Sequence, residues 1–250
     1  MTAVPNSRVR AARAPRIAGP RALMTTARLY PLVACASIVF SVVAILVGHF
    51  GPDPYLDPMN VTISEYAVTD RGGVTEVAMA VLGIGSLALL AALRKMRAPI
   101  RGLPEKLLMV WSAALVVVAV IPTVPLGLDL DLAAQIHRYV SIAAFVSLPA
   151  AGALLVPRLT ADALWKPVAR AVEWVALAGG FGVLAITYVA LPGERVMIGL
   201  VERLLLGAEV SLLGLLAAWA LWLTWAPGRS RNHPADADFT TYHRFIASRS

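Results

Sequence analysis

The chain has 250 residues, 58% of them hydrophobic and 15% charged, with a mean hydropathy of +0.72 and a formal net charge of +7. That composition excludes the soluble globular classes, and the gathering of apolar residues into long runs excludes a disordered chain. Each run is long enough for a bilayer, so the expected fold is all-α, a polytopic membrane protein.

Residues 1–28 carry six arginines and no acidic residue, and read as a disordered, Arg-rich cytoplasmic extension, with Met24 an alternative translation start. Six transmembrane spans follow: Leu29 to Phe50, Val74 to Leu93, Leu107 to Ile121, Ile136 to Val156, Val172 to Leu191 and Met197 to Trp225. Together they define a transmembrane domain over 29–226, and residues 227–250 form a polar cytoplasmic tail. Helices are the only spanning solution, because no alternating strand pattern occurs and backbone amides find no water in hydrocarbon. The third span follows Pro104-Glu105-Lys106, stops at Pro122 and is short; it matches the bilayer only if Thr123 and Val124 continue it. Pro149 predicts a kink in the fourth span, since it removes a hydrogen bond and crowds the Phe145 carbonyl.

Of the 22 Lys and Arg residues, all but Arg71, Arg138, Arg195 and Arg203 fall at the termini or in the second and fourth connections. The positive-inside rule therefore puts both termini in the cytoplasm of a cell membrane, with three hairpins facing out. Topology also accounts for the positive charge better than nucleic acid does, because the basic residues flank apolar runs. Trp111, Trp165, Trp174, Trp222 and Trp225 near the inner ends, and Tyr55, Tyr66, Tyr139 and Tyr188 near the outer ends, agree with that orientation. The lone Cys35, within the first span, excludes an intrachain disulfide.

Glycines mark faces where helices approach closely: Gly83 and Gly85 in span two, Gly179, Gly180 and Gly182 in span five, and Gly207, Ser211 and Gly214 in span six. Packing within one bundle is the main expectation, and a homo-oligomer through these faces the lesser one.

Polar residues inside or beside the spans are where chemistry is expected. The first outer segment includes Ile63-Ser64-Glu65-Tyr66, and the second reads Ile121-Pro122-Thr123-Val124-Pro125, then Asp129 and Asp131, then Ile136-His137 opening span four. A six-span chain with an Ile-Ser-Glu element in outer loop one, a Pro-Thr pair closing span three and an Ile-His entering span four resembles the bacterial and archaeal membrane proteins of domain-of-unknown-function family 998. The resemblance covers about 200 residues and implies fold and location, but no reaction. The family pattern often continues Pro-Thr with Asp; Val124 stands there, leaving Asp129 or Asp131 as substitutes.

Span six is about 44 Å long at 1.5 Å per residue, more than the hydrocarbon core, so its first turns reach the outer interface. Glu202 is expected at that interface and Glu209 about one turn inside, on a shared face pointing away from Gly207, Ser211 and Gly214. Glu202 has Arg203 or His137 as candidate partners, and Glu209 is expected to face a hydrated cavity with His137 and exchange a proton with it.

No catalytic motif, metal ligand set or cofactor signature is present, so no catalytic residue is assigned and no cofactor is invoked. The function the sequence favours is binding or transport of a small molecule or ion in a polar, outward-facing cavity built from Glu65, His137, Glu202 and Glu209. Membrane lipids are the other expected partners. A non-catalytic scaffold or assembly partner is the alternative. A membrane-embedded enzyme, or a single-haem cytochrome using His49 and His137, ranks below both.

Overall fold

The computed structural model describes residues 20–49, 57–69, 73–121, 123–124 and 131–225, with side chains from residue 28 onward except those of His49 and Thr69. The expected tail and Asp129 lie outside the described residues. Among the described residues seven helices form: α1 (Pro20–His49), α2 (Ile63–Thr69), α3 (Val74–Lys95), α4 (Leu103–Val120), α5 (Leu132–Ala161), α6 (Lys166–Ala190) and α7 (Ile198–Trp225). All but α2 are long and apolar enough to cross a membrane. The chain is an all-helical, multi-pass membrane protein.

Several boundaries differ from expectation for local reasons. Residues 20–28, expected as part of a disordered extension, are the start of α1; Ala22, Leu23, Met24 and Ala27 are good helix formers. The third span gains length at its other end. α4 starts at Leu103 with Pro104 in its first turn, where a missing N–H costs nothing, and its 18 residues cover about 27 Å without Thr123 and Val124. It stops because Ile121, preceding Pro122, is extended at φ −96° and ψ 110°. α5 continues as helix through Pro149 and Pro157.

The six long helices close into a ring in which each packs on the next: α1 on α3, then α4, α5, α6 and α7, which returns to α1. Short connections make α3 and α4, α5 and α6, and α6 and α7 antiparallel neighbours, whereas the longer segment between α1 and α3 carries α2. The α3–α4 hairpin is tied by an Arg94–Glu105 ion pair of 2.5 Å. In the turn between α6 and α7, Glu194, Arg195 and Met197 all have positive φ, a strained backbone that needs outside support.

The ring is filled at one end only. Leu89, Leu93, Trp111, Leu155, Leu159, Leu213 and Leu216 are fully buried there, with the Trp111 indole N–H donating to Ser86 Oγ at 3.3 Å. Close approach is made by glycine: a Cβ on Gly152 would meet Leu212 and Ala176, and one on Gly182 would meet Leu205. Gly83, Gly85 and Gly179 are equally tight, whereas Gly180, Gly207 and Gly214 have nothing within 4 Å. The face of α7 expected to be its close-packed seam is therefore open. The opposite face, carrying Leu205, Leu212 and Leu216, is the buried one, because α7 packs on α6 and α5 through it.

Candidate functional site

At the other end the ring is hollow, and α2 lies across it. Thr62-Ile63-Ser64-Glu65 folds as a capping box: Thr62 Oγ1 accepts from the Glu65 N–H at 3.2 Å, and Glu65 Oε2 accepts from the Thr62 N–H at 2.9 Å. The next amide, Ile63 N–H, donates to the Glu202 carboxylate on α7 at 2.6 Å. Seven residues are too few for a helix to persist alone, so these contacts hold α2 in place.

The segment leading into α2 is laid against the start of α7. Arg203 Nη1 lies 2.8 Å from the Pro58 and Val61 carbonyls and 2.9 Å from that of Gly199, and its guanidinium lies over the Tyr66 ring. Gly199 permits this contact, since a Cβ there would collide with the carbonyl oxygens of Pro58 and Val61. Leu200 N–H donates to the Met59 carbonyl at 3.1 Å and Met197 N–H to Asn60 Oδ1 at 2.9 Å. Asp57 accepts from Met59 N–H and the Asn60 amide, and these hydrogen bonds hold its carboxyl below the ordinary value of 3.8. An Arg195–Glu65 ion pair of 2.6 Å ties the strained α6–α7 turn to α2.

Beneath α2 is a cavity of about 600 Å³, lined by side chains of α1, α3, α4, α5 and α7. Its walls are mainly apolar: Ile45, Leu82, Val118, Phe145 and Leu206 are typical. Ser64, Glu202 and Arg203 put polar groups at the α2 end, and Ser141 and Ser211 lie deeper. Gly207 also lines it, which explains the empty space beside that residue. A second cavity of about 620 Å³ between α5 and α6 has Glu173 as its single charged lining residue, and Phe181 and Leu184, which also line it, are exposed.

His137, 5% exposed, joins α5 to the same cluster. Its Nδ1 is 2.6 Å from the Ile121 carbonyl oxygen and its Nε2 is 3.2 Å from Ser64 Oγ. The Ile121 carbonyl is available because Ile121 has already left the helix.

Three of the four residues singled out from the sequence thus meet at α2. Glu65 holds the capping box and Arg195, His137 bridges Ile121 to Ser64, and Glu202 caps α2 while the Arg203 guanidinium attracts its carboxylate. Glu209 stands apart. It is 1% exposed, both its carboxylate oxygens are buried without a hydrogen-bond partner among the described residues, and it is not among the residues lining the cavity. Its neighbours along the helix face, Leu205 and Leu212, pack against α6 and α5. Asp131 proves to be the N-cap of α5, accepting from Ala134 N–H at 2.7 Å. Among the described residues no three His, Cys, Asp or Glu side chains gather as a metal site.

Ser64, Arg195 and Arg203 are the participants the sequence reading leaves out of the site. Thr62-x-x-Glu65 signals the capping box and hence a short helix presenting Ser64. Nothing local marks Arg195, whose partner Glu65 lies 130 residues away, and Arg203 takes the distant Pro58 and Val61 carbonyls besides the local one of Gly199.

A family model described as "Protein of unknown function (DUF998)" matches residues 34–223. The chain belongs to this family. The match runs from the middle of α1 almost to the end of α7 and takes in the whole α2 cluster. No curated protein and no solved structure matches the chain.

Proposed function

We propose that this protein binds a membrane amphiphile in the hollow end of its helix ring, with the apolar body among Ile45, Phe145 and Leu206 and the polar headgroup at Ser64, Glu202 and Arg203. The observation that carries this reading is the division of one cavity of about 600 Å³ into apolar walls and a polar end beneath α2. That size lies within the range of small-molecule sites, about 300–1,000 Å³, and apolar walls with a few convergent polar groups are their usual lining. A solvated ion or a strongly polar solute would find too few partners along such walls. In the orientation favoured by the Lys and Arg distribution, both termini are cytoplasmic and α2 lies at the outer face of the cell membrane, so the ligand's headgroup would sit at the outer leaflet.

Photo-crosslinking in vesicles with a diazirine-bearing fatty acid tests the proposal. Adducts are expected on cavity positions of α1, α5 and α7, and Gly207→Phe should abolish them. The large side chain enters space that is empty beside Gly207, so the fold should tolerate it. Unchanged crosslinking in that variant, or adducts confined to the outward-facing Phe181 and Leu184, would show that the cavity is not the binding site.

A further inference from the structure

Ser64 and His137 are the pair whose geometry goes beyond ligand binding. The Ile121 carbonyl can only accept a hydrogen bond, so in the neutral imidazole the proton sits on Nδ1. The lone pair of Nε2 then faces Ser64 Oγ, 3.2 Å away, and the serine hydroxyl donates to it. A nucleophile, a base and a third group that fixes the base's tautomer is the arrangement that activates a serine. Here a backbone carbonyl takes the orienting place that a carboxylate occupies elsewhere. His137 is buried, and Ser64 lies on the cavity wall where the apolar walls meet the polar end.

We propose that Ser64 is a nucleophile activated by His137, and that the protein cleaves a carboxylic ester of a membrane amphiphile held in the cavity; the substrate class rests on the binding reading above. In the first step Ser64 Oγ bonds to the ester carbonyl carbon while its proton passes to His137 Nε2. The carbonyl re-forms as the bond to the alcohol oxygen breaks, and that oxygen leaves with the proton from Nε2. Water then gives a proton to Nε2 and its oxygen bonds to the acyl carbon. Ser64 Oγ departs and recovers the proton, so ester and water become acid and alcohol with no change of oxidation state. The 73-residue separation of the pair in sequence, with Ser64 on α2 and His137 on α5, makes the dyad dependent on α2 staying seated.

Dodecyl fluorophosphonate is the direct probe, because an activated serine displaces its fluoride and keeps the phosphonyl group as a mass adduct. Wild-type protein in detergent should carry that adduct on Ser64. Ser64→Ala should remove it, and His137→Gln, with an unchanged melting temperature, should slow it about 100-fold or more, the usual worth of a general base. Hydrolysis of p-nitrophenyl laurate should fall in parallel. Absence of an adduct on wild-type Ser64, a result that needs no variant, overturns the proposal, as does wild-type labelling speed in a folded His137→Gln protein. If Ser64 is unlabelled while the diazirine fatty acid still crosslinks in the cavity, the dyad fails and the binding reading stands. Labelled Ser64 with no cavity crosslink supports the dyad and removes the lipid-ester substrate.

Discussion

Glu202 on α7 accepts a hydrogen bond from Ile63 N–H at 2.6 Å, so a carboxylate 139 residues away caps the short helix that closes the hollow end of the ring. A buried carboxylate is costly, and this one meets a backbone donor that would otherwise be unpaired. Glu202→Ala should leave the Ile63 amide unsatisfied, at about 1–3 kcal/mol. Hydrogen exchange should show 63–69 opening in that variant, whereas Glu202→Gln, which retains an acceptor oxygen, should keep most of the protection. Equal exchange in the two variants would mean that the cap does not hold α2.

Gly199→Ala places a methyl group against the backbone oxygens of Pro58 and Val61, which have no flexible end to move aside. The expected cost is about 1–3 kcal/mol, as for overpacking elsewhere. The loss should be local: limited proteolysis should cut between residues 57 and 62 in the variant and not in the parent.

Glu209 has no hydrogen-bond partner among the described residues, and a charge at such depth costs about 2.5–3.5 kcal/mol on insertion scales. Glu209→Leu should therefore raise the melting temperature in detergent, and Glu209→Gln should be neutral or slightly stabilising. A fall in melting temperature in both variants would reveal a compensating group. Preserved stability with loss of a pH-dependent ligand response in Glu209→Gln would instead support proton exchange at this residue.

Asp57 lies outside the spans and its carboxyl is held below 3.8 by Met59 N–H and the Asn60 amide. A group whose folded value is depressed contributes stability that is present above the unfolded value and is lost as pH falls through the folded one. The 57–60 turn should thus remain formed at neutral pH and loosen only in acid below 3.8. Carbon NMR of the Asp57 carboxyl should titrate below that value, and Asn60→Ala should move the midpoint back toward it.

Thiol labelling tests the orientation. With Cys35 replaced by Ala, an impermeant maleimide added to intact cells should modify Met59→Cys, on the exposed approach to α2, and should not modify Arg97→Cys, in the turn between α3 and α4. Labelling at Arg97→Cys alone would invert the topology.

The spans were legible in the sequence because bilayer thickness imposes a length on each apolar run and hydrocarbon forbids an unpaired backbone, so composition along the chain suffices. The capping box has a local signal too, since Thr62 and Glu65 are three residues apart and satisfy each other, but both fall in an outer segment where the sequence reading expects no helix. Glu65, His137 and Glu202 could be singled out because polar side chains near hydrocarbon stand out in any reading. What they touch was decided by ring closure. Only the return of α7 to α1 brings Glu202 beneath Ile63, and only the seating of α2 on α3 and α7 brings Ser64 to His137. The glycines make the same point: Gly182 and Gly207 look alike in sequence, yet one meets Leu205 and the other borders a cavity. A glycine records that space is left beside a helix, and the neighbouring helices determine whether that space is filled.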